Sequence, residues 1–561
     1  MDAKKFINKG RKSISLHSQL IQRPLALSPT ATFSFIMMNK TPSDSYTWDK
    51  LLAQNENVYG APVSCFRHLP LSDGWEQITE GLKLEIINID CDASLQGYWI
   101  ASIIKVTGYF ALLRYEGYQD DNSNDFWINL ANPDVHEVGW SSTNQCQLIP
   151  PKNIQHKFED WKNFLVETLV GAKTLPSNFH DKLMRCLESR FRPGMRLEAL
   201  DKNDISAMRP CIINKVVGQR LHLIYLEPGK ELSNTESIAS NGASKPPNSL
   251  HASLNDHAEV EGFWCHQSSP LIHPVGWSAL VGHKVTADKD YIEKSKELAI
   301  QGRYSSDYAP YDLFTRPTRT LPPNSKFEMG MKLEALDPVN LSSICVATIR
   351  KVLERGYVMI SIDGAPENVQ NVFCYHSTSP YIFPLGFCKT HGIELTQPRD
   401  YTSSHNVIPN ATSAKRFDWD EYLDATKSHS IPDIGDYKED NLSSQHPTLA
   451  VGMKLEAVDL MEPHLMCVAT VTREAGRLLK IHFDGWDRAY DQWVDRSSSD
   501  LFAPGWCELA GYRLEPSPTA SITPESPHRE SFEIEGKKRI KRNSNSIPNH
   551  KRSNKLRKSK Q

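Results

Sequence analysis

Gly452-Met453-Lys454-Leu455-Glu456 occurs in four versions along this chain, and that recurrence sets the reading of the fold. The earlier versions are Gly81-Leu82-Lys83-Leu84-Glu85, Gly194-Met195-Arg196-Leu197-Glu198 and Gly330-Met331-Lys332-Leu333-Glu334. Their starts are separated by 113, 136 and 122 residues. A second signature follows each one: His136-Glu137-Val138-Gly139-Trp140, His273-Pro274-Val275-Gly276-Trp277, Phe383-Pro384-Leu385-Gly386-Phe387 and Ala503-Pro504-Gly505-Trp506. Two linked signatures repeated in one order mark an internal repeat of domain size.

Between the signatures the pattern is that of strands. Val346-Ala347-Thr348-Ile349-Arg350-Lys351-Val352 and Cys467-Val468-Ala469-Thr470-Val471 are short, rich in β-branched residues and bounded by turn residues. Leu478-Leu479-Lys480-Ile481-His482-Phe483 runs into Asp484-Gly485, a turn pair. Each unit therefore reads as a small barrel of short strands. Ahead of the barrels lie short amphipathic segments headed by Trp48, Trp161 and Trp419, each an arm that a Trp and its apolar neighbours can pin to a barrel.

The expected organisation is a disordered segment at 1–45 and repeats at 46–155, 156–285, 286–400 and 416–516. The second repeat is interrupted at about 232–261 by a Ser/Asn/Ala/Pro-rich insertion, and a polar linker covers 402–415. Residues 517–561 read as a disordered basic tail.

Composition agrees with several folded units. The chain has 561 residues, 39% of them hydrophobic, and 12 Trp, enough for more than one core. Its formal net charge is −3, unevenly spread. Residues 537–561 hold 11 of the 64 Lys/Arg and no acid, which leaves 53 basic against 67 acidic residues, or −14, for the rest. An acidic body suits cationic ligands, and the basic tail suits nucleic acid or an import receptor. The 11 Cys form no CxxC pair, so they read as free thiols in a reducing compartment, with neither a disulfide framework nor a metal site. No apolar run reaches the ~18 residues a membrane helix needs, and no cofactor is expected.

The paired signatures resemble those of MBT (malignant brain tumour) repeats, over roughly residues 46–516, and most of all those of proteins with four such repeats. The resemblance implies a mainly β fold of four tandem repeats. Each would be a small SH3/Tudor-like β-barrel with a helical N-terminal arm, packed with the others in one array. It also implies a nuclear chromatin reader of mono- and dimethyl-lysine on histone tails, working in transcriptional repression and chromatin compaction with Polycomb-type repressor subunits. Relatives of this kind usually carry an N-terminal FCS-type zinc finger. This sequence has no Cys pair to build one, and the finger's RNA-binding role is not carried over.

Recognition of a methylammonium needs ring faces for the cation and a carboxylate for any remaining N–H. Trimethyl-lysine keeps no N–H, so an acid in the cage favours the lower states. The resemblance places the acid just after the Met-Lys-Leu-Glu run and the rings in a Phe-Asp-x-Trp-x-x-x-Tyr segment. In the fourth repeat these fall on Asp459, Phe483, Trp486 and Tyr490, within the stretch His482–Trp493 for the rings. Trp493 reads as core. Glu462 and Cys467 are further candidates: Glu462 stands where some such repeats carry Asn, and Cys467 suits the base of the cavity or the core.

The other repeats read as incomplete. The first has Asn88 for the acid, with Tyr115 and Tyr118 near the ring positions. The second keeps Asp201 but shows Leu226-Glu227-Pro228 where rings are needed, and the third keeps Asp337 but reads Ile362-Asp363-Gly364-Ala365.

An enzyme is disfavoured, because no GxSxG, HExxH, P-loop or GxGxxG pattern stands in a fitting context. The acids Glu85, Glu198, Glu334 and Glu456 recur once per barrel and read as structural. Nucleic-acid binding by the ring stretch is disfavoured by Asp484, Asp487 and Asp491, leaving the tail as its candidate. A scaffold for repressor subunits, independent of methyl-lysine, is the remaining alternative.

Overall fold

Strands this short bury one face only by curling round a core, and the structure repeats that solution four times. The computed structural model describes residues 46–54, 58–91, 97–227, 229, 262–315, 326–365, 371–399, 401, 417–432 and 447–517. The expected N-terminal segment, insertion, linker and, beyond Ser517, basic tail lie outside the described residues. Among the described residues no helix is long and apolar enough to cross a membrane.

The first sheet holds β1 (Lys83–Ile87), β2 (Gly97–Thr107), β3 (Phe110–Tyr115), β4 (Phe126–Asn129), β5 (Val135–His136) and β6 (Gln147–Leu148). The second holds β7 (Arg196–Asp201), β8 (Asp204–Val217), β9 (Arg220–Tyr225), β10 (Phe263–His266), β11 (Ile272–His273) and β12 (Lys284–Val285). The third holds β13 (Lys332–Asp337), β14 (Asn340–Val352), β15 (Tyr357–Ile362), β16 (Val372–His376), β17 (Ile382–Phe383) and β18 (Leu395–Thr396). The fourth holds β19 (Lys454–Val458), β20 (Met466–Ala475), β21 (Leu478–Phe483), β22 (Gln492–Asp495) and β23 (Leu501–Phe502). Strand order is the same in all, β4-β3-β2-β1-β5 in the first and β22-β21-β20-β19-β23 in the fourth. The pairing of the second and third strands slips at the same place each time, between Ile103/Lys105, Ile213/Lys215, Ile349/Lys351 and Val471/Arg473. A bulge there bends the long strand and curls the sheet into a half-barrel.

The two recurring signatures are one device. In the fourth repeat the buried Glu456 carboxylate accepts from the Gly505 and Cys507 amides, each at 2.8 Å. Glu85 takes Gly139 and Ser141, Glu198 takes Gly276 and Ser278, and Glu334 takes Gly386 and Cys388 in the same way. These amides open the short helix at the end of each repeat and have no helical acceptor, so the buried acid caps it. The recurring Glu is thus a structural hydrogen-bond acceptor.

The arms cross over. Each later arm reaches back to the barrel before it in the chain. Trp419 Nε1 donates to Glu334 at 2.9 Å, the Tyr291 hydroxyl donates to Glu198 at 3.1 Å, and Trp161 stacks edge-on against Trp99 at 5.1 Å. The first arm reaches the fourth barrel: Trp48 Nε1 donates to Glu456 at 2.8 Å, and Gly60 bridges to Lys454. One apolar cluster consequently joins Trp48, repeat 1 residues such as Trp99, repeat 4 residues such as Trp506, and Trp264 of repeat 2. Repeat 3 meets repeat 4 through Phe383, Cys388, Leu478 and Trp493, and meets repeat 2 through Trp277 and Tyr357. Trp493 is thus core, 2% exposed. The β8–β9 turn reaches the fourth repeat through Gly218, at φ +51, where a Cβ would lie 2.5 Å from Ala510 Cβ.

Candidate functional site

In the fourth repeat, β19 ends at Val458, β20 begins at Met466 and β21 ends at Phe483, so three strand ends meet at one corner. Asp459 follows β19 directly. Cys467 pairs with Ala457, and Phe483 pairs with Ala469, two residues further along the same strand. The corner therefore brings Asp459, Cys467 and Phe483 together. Beyond Phe483 the chain turns and puts Trp486 and Tyr490 in edge-to-face contact, with ring centroids 5.9 Å apart and planes at 82°. The Asp487 carboxylate accepts from the Ala489 amide at 2.8 Å and starts the single turn that carries Tyr490.

The rings differ in exposure. Phe483 is 3% exposed and lies in the shared apolar cluster, Tyr490 is half-buried against that cluster, and Trp486 is 39% exposed. A large ring left this open while its neighbours are covered is not explained by packing.

Asp459 is 8% exposed and firmly held. Its Oδ1 accepts from Gln492 Nε2 at 2.8 Å and from the Met461 amide at 3.0 Å. Gln492 Oε1 in turn accepts from the Leu460 amide at 3.2 Å. Sequence reasoning missed Gln492. The signal lies in the register: its equivalents, opposite Leu113, Leu223 and Ile360, are Phe126, Phe263 and Phe373. Only the fourth repeat has a polar side chain there.

Cys467 is 5% exposed, and burial together with the Asp459 charge pushes its thiol up to about 12. It is a neutral, small side chain beside the acid. Glu462, in the loop after Asp459, has an exposed carboxylate 3.9 Å from His464 Nδ1.

Two of the three acids in the ring stretch are already engaged. Asp484 pairs with Lys454 at 2.5 Å, and Asp491 contacts His482 Nδ1 at 2.8 Å and Lys480 at 3.8 Å. The negative character of this corner rests on Asp459, Glu462 and Asp487 rather than on Asp484 and Asp491.

The same corner is built differently in each of the other repeats. The position of Cys467 is taken by Trp99 in repeat 1, Arg209 in repeat 2 and Cys345 in repeat 3. In repeat 1, Asn88 donates to the Ile149 carbonyl at 2.9 Å, and Tyr115 donates to the Ile87 carbonyl at 2.8 Å. There Lys157 lies 5.5 Å from the centre of the buried Tyr118 ring. In repeat 2 the register corrects the expectation of no ring, because Tyr225, one residue before Leu226, is the equivalent of Phe483. The Arg209 guanidinium stands over that ring at 4.9 Å, a cation–π contact within the repeat. In repeat 3, Asp337 accepts from the Val339 amide at 2.9 Å and Ile362 takes the ring position.

The loop after the acid also differs. Asp201 pairs with Asp204 and Asp337 with Asn340, so repeats 2 and 3 continue as tight hairpins. In repeat 4 the ladder stops at Val458–Met466 and leaves Asp459–Leu465 as an open loop of the same length. Pro463 stands where the hairpins have Ile205 and Leu341, and it has no N–H for the ladder. Among the described residues no group of His, Cys, Asp and Glu is arranged to hold a metal ion.

A family profile described as the mbt repeat matches residues 82–155, 195–292, 331–402 and 453–521. MBT domain-containing protein 1 of Xenopus tropicalis is 44% identical over 490 residues, which are 87% of this chain and 67% of that protein. Polycomb protein Sfmbt of Drosophila melanogaster is 41% identical over 496 residues, 85% of this chain and 36% of that much longer protein. Among solved structures, the four MBT repeats of Drosophila Sfmbt in complex with the peptide RHR(me)KVLR match with a TM-score of 0.68 and 40% identity. That match covers 84% of this chain and 98% of the other.

Proposed function

Since the chain belongs to the MBT-repeat family, we propose that it is a non-enzymatic reader of mono- and dimethyl-lysine, and that the corner at Asp459 is where it reads. One observation carries this. Among the described residues, only in repeat 4 does a buried acid, oriented by Gln492 and the Met461 amide, stand at a corner with Phe483, a half-buried Tyr490 and the exposed Trp486. The Sfmbt repeats, similar along their whole length, were solved with a methylated-lysine peptide, which supports the same ligand class here.

Each part has a role. The ring faces attract the diffuse charge of the methylammonium, each contact giving on the order of 0.5–2 kcal/mol when desolvated. Asp459 accepts the N–H that mono- and dimethyl-lysine retain. Trimethyl-lysine offers no such proton, and unmethylated lysine is more strongly hydrated and fills the ring walls less. Cys467, small and neutral, leaves room at the base, and Glu462 adds negative charge at the mouth.

The setting that fits is nuclear, on methylated histone tails, in transcriptional repression and chromatin compaction alongside Polycomb-type repressor subunits. The relatedness to a Polycomb protein supports it. The segment at 537–561, with 11 Lys/Arg, is the candidate for nuclear import or nucleic-acid contact. We take the repeats as 46–155, 156–285, 286–400 and 416–516.

The test is titration of histone-type peptides in all four methylation states into the full chain and into Asp459→Asn. Binding confined to the mono- and dimethyl forms and lost in the variant is the expected result. Equal binding of every state, or an unaffected variant, would favour a scaffold that holds repressor subunits without methyl-lysine.

A further inference from the structure

Resting on that reading of the fourth repeat, we infer that Arg220 of repeat 2 is a positioning residue for the methyl-lysine site, gripping the loop Asp459–Leu465 from the neighbouring barrel. The side chain is fully buried, yet it sits at the edge of β9 and crosses to repeat 4. Its Nη2 donates to the Pro463 carbonyl at 2.6 Å, its Nη1 lies 3.5 Å from Asp500, and its guanidinium stands 5.3 Å from the centre of the Tyr512 ring. The Tyr512 hydroxyl donates to the His464 carbonyl at 3.0 Å. Tyr512 is itself braced edge-on by Trp264 of repeat 2 at 5.4 Å. Two consecutive carbonyls of the loop are therefore held by groups that repeat 2 supplies or supports.

The loop needs such a hold. Pro463 keeps it out of the hairpin ladder, and its backbone-to-backbone closure runs from Asp459 N to Leu465 O at 3.1 Å, Glu462 N to Asp459 O at 3.0 Å, and Leu465 N to Glu462 O at 2.8 Å. A loop that orients an acid must be ordered before the ligand arrives, or binding carries the ordering cost. A buried guanidinium is suited to this because its planar fork can serve Asp500 and Pro463 together, which a lysine ammonium cannot do in the same geometry. The hydrogen bonds also order the assignments. Gln492 fixes the acid from within repeat 4, and Arg220 fixes the far side of the same loop from repeat 2.

The test uses the full chain and the peptide RHR(me)KVLR in its monomethyl form. Arg220→Lys keeps a charge beside Asp500 and removes the fork. With a thermal midpoint near that of the parent, it is expected to bind about tenfold more weakly, the loss of one hydrogen bond from a charged donor. The Glu462 and Leu465 amides should exchange faster while those of the β20–β21 ladder do not. A folded Arg220→Lys that binds like the parent, with unchanged loop exchange, overturns the inference.

A measurement on the parent alone gives a second decision should the variant fail to fold. Coupling is reciprocal, so peptide binding must slow amide exchange at residues 220–222 of repeat 2. Protection confined to repeat 4 also overturns it. Failure of the underlying reading looks different: the parent shows no methyl preference, or Asp459→Asn binds as well as the parent.

Discussion

Repeats 2 and 4 start from the same parts and end differently. Both have a buried acid after the recurring Leu-Glu, Asp201 and Asp459, and both have a ring opposite it, Tyr225 and Phe483. In repeat 2 the next strand supplies Arg209, whose guanidinium lies on the ring at 4.9 Å, and the chain after the acid closes as a hairpin. In repeat 4 that strand supplies Cys467, and Pro463 holds the loop open. One barrel contains its own cation at the ring; the other has a cysteine there, and on the proposed reading it takes its cation from outside. The frame that makes each barrel stable, the acid capping the last helix, is common to both and says nothing about ligand.

The largest expected effect comes from moving repeat 2's solution into repeat 4. Cys467→Arg should put a guanidinium at the base of the corner and reduce methyl-peptide binding by ~50-fold or more, since a permanently bound cation competes with the ligand's. Calorimetric titration with the monomethyl peptide checks it, and a retained midpoint shows the fold survived. Affinity like the parent's would break the comparison.

Trp486→Ala removes the exposed ring of the corner. It should weaken binding by roughly 10- to 30-fold, equivalent to about 1.4–2 kcal/mol, while leaving stability almost unchanged because the ring contributes little buried area. The reverse pattern, lost stability and intact binding, would make Trp486 a packing residue. Gln492→Phe installs the residue type of the other three repeats. Asp459 then loses a neutral donor, and affinity should fall by ~5- to 10-fold, measurable by fluorescence anisotropy with a labelled peptide.

The smallest effect concerns the frame and not the site. Burial lowers His68 to about 4, and His68 packs on His266 and Phe502 where repeats 1, 2 and 4 meet. Unfolding frees it to protonate near pH 6.5, so the unfolded chain binds more protons between these values. Stability is therefore fully present above about pH 6.5 and falls as pH drops towards 4. His68→Phe, which keeps the ring, should flatten that part of a melting-temperature profile; an unchanged slope would assign it to other buried histidines such as His273.

Much of this was legible in the sequence, for reasons of spacing. The four Met-Lys-Leu-Glu-type runs and the four Gly-Trp-type endings gave the repeat number and the β character, because a capped helix and a paired strand each need particular residues at fixed places. The ring cluster at Phe483, Trp486 and Tyr490 was visible because it is local. Gln492 was not visible as a partner of Asp459, because its meaning comes from the rung it occupies on β22. Tyr225 was hidden by an alignment one residue out of register, which in a strand moves a side chain to the opposite face. Arg209 and Arg220 were ordinary basic residues in the sequence; only the packing of strands and barrels shows one filling its own repeat's corner and the other reaching into a neighbour's. The arms were legible as helices, but which barrel each one covers was not, because that depends on packing between repeats.

That first arm has a consequence for how the molecule is made. Trp48 finds its acceptor Glu456 at a separation of 408 residues. On a ribosome adding about 5–20 residues per second, the arm emerges roughly 20–80 s before the strand it covers exists. For that interval an amphipathic segment with a Trp at its head stands without its partner, and the fourth barrel, which the arm covers, is the last of the four to be completed. Chaperone demand during synthesis should therefore concentrate on the beginning of the chain, and a translation pause anywhere in repeats 2 or 3 should lengthen it.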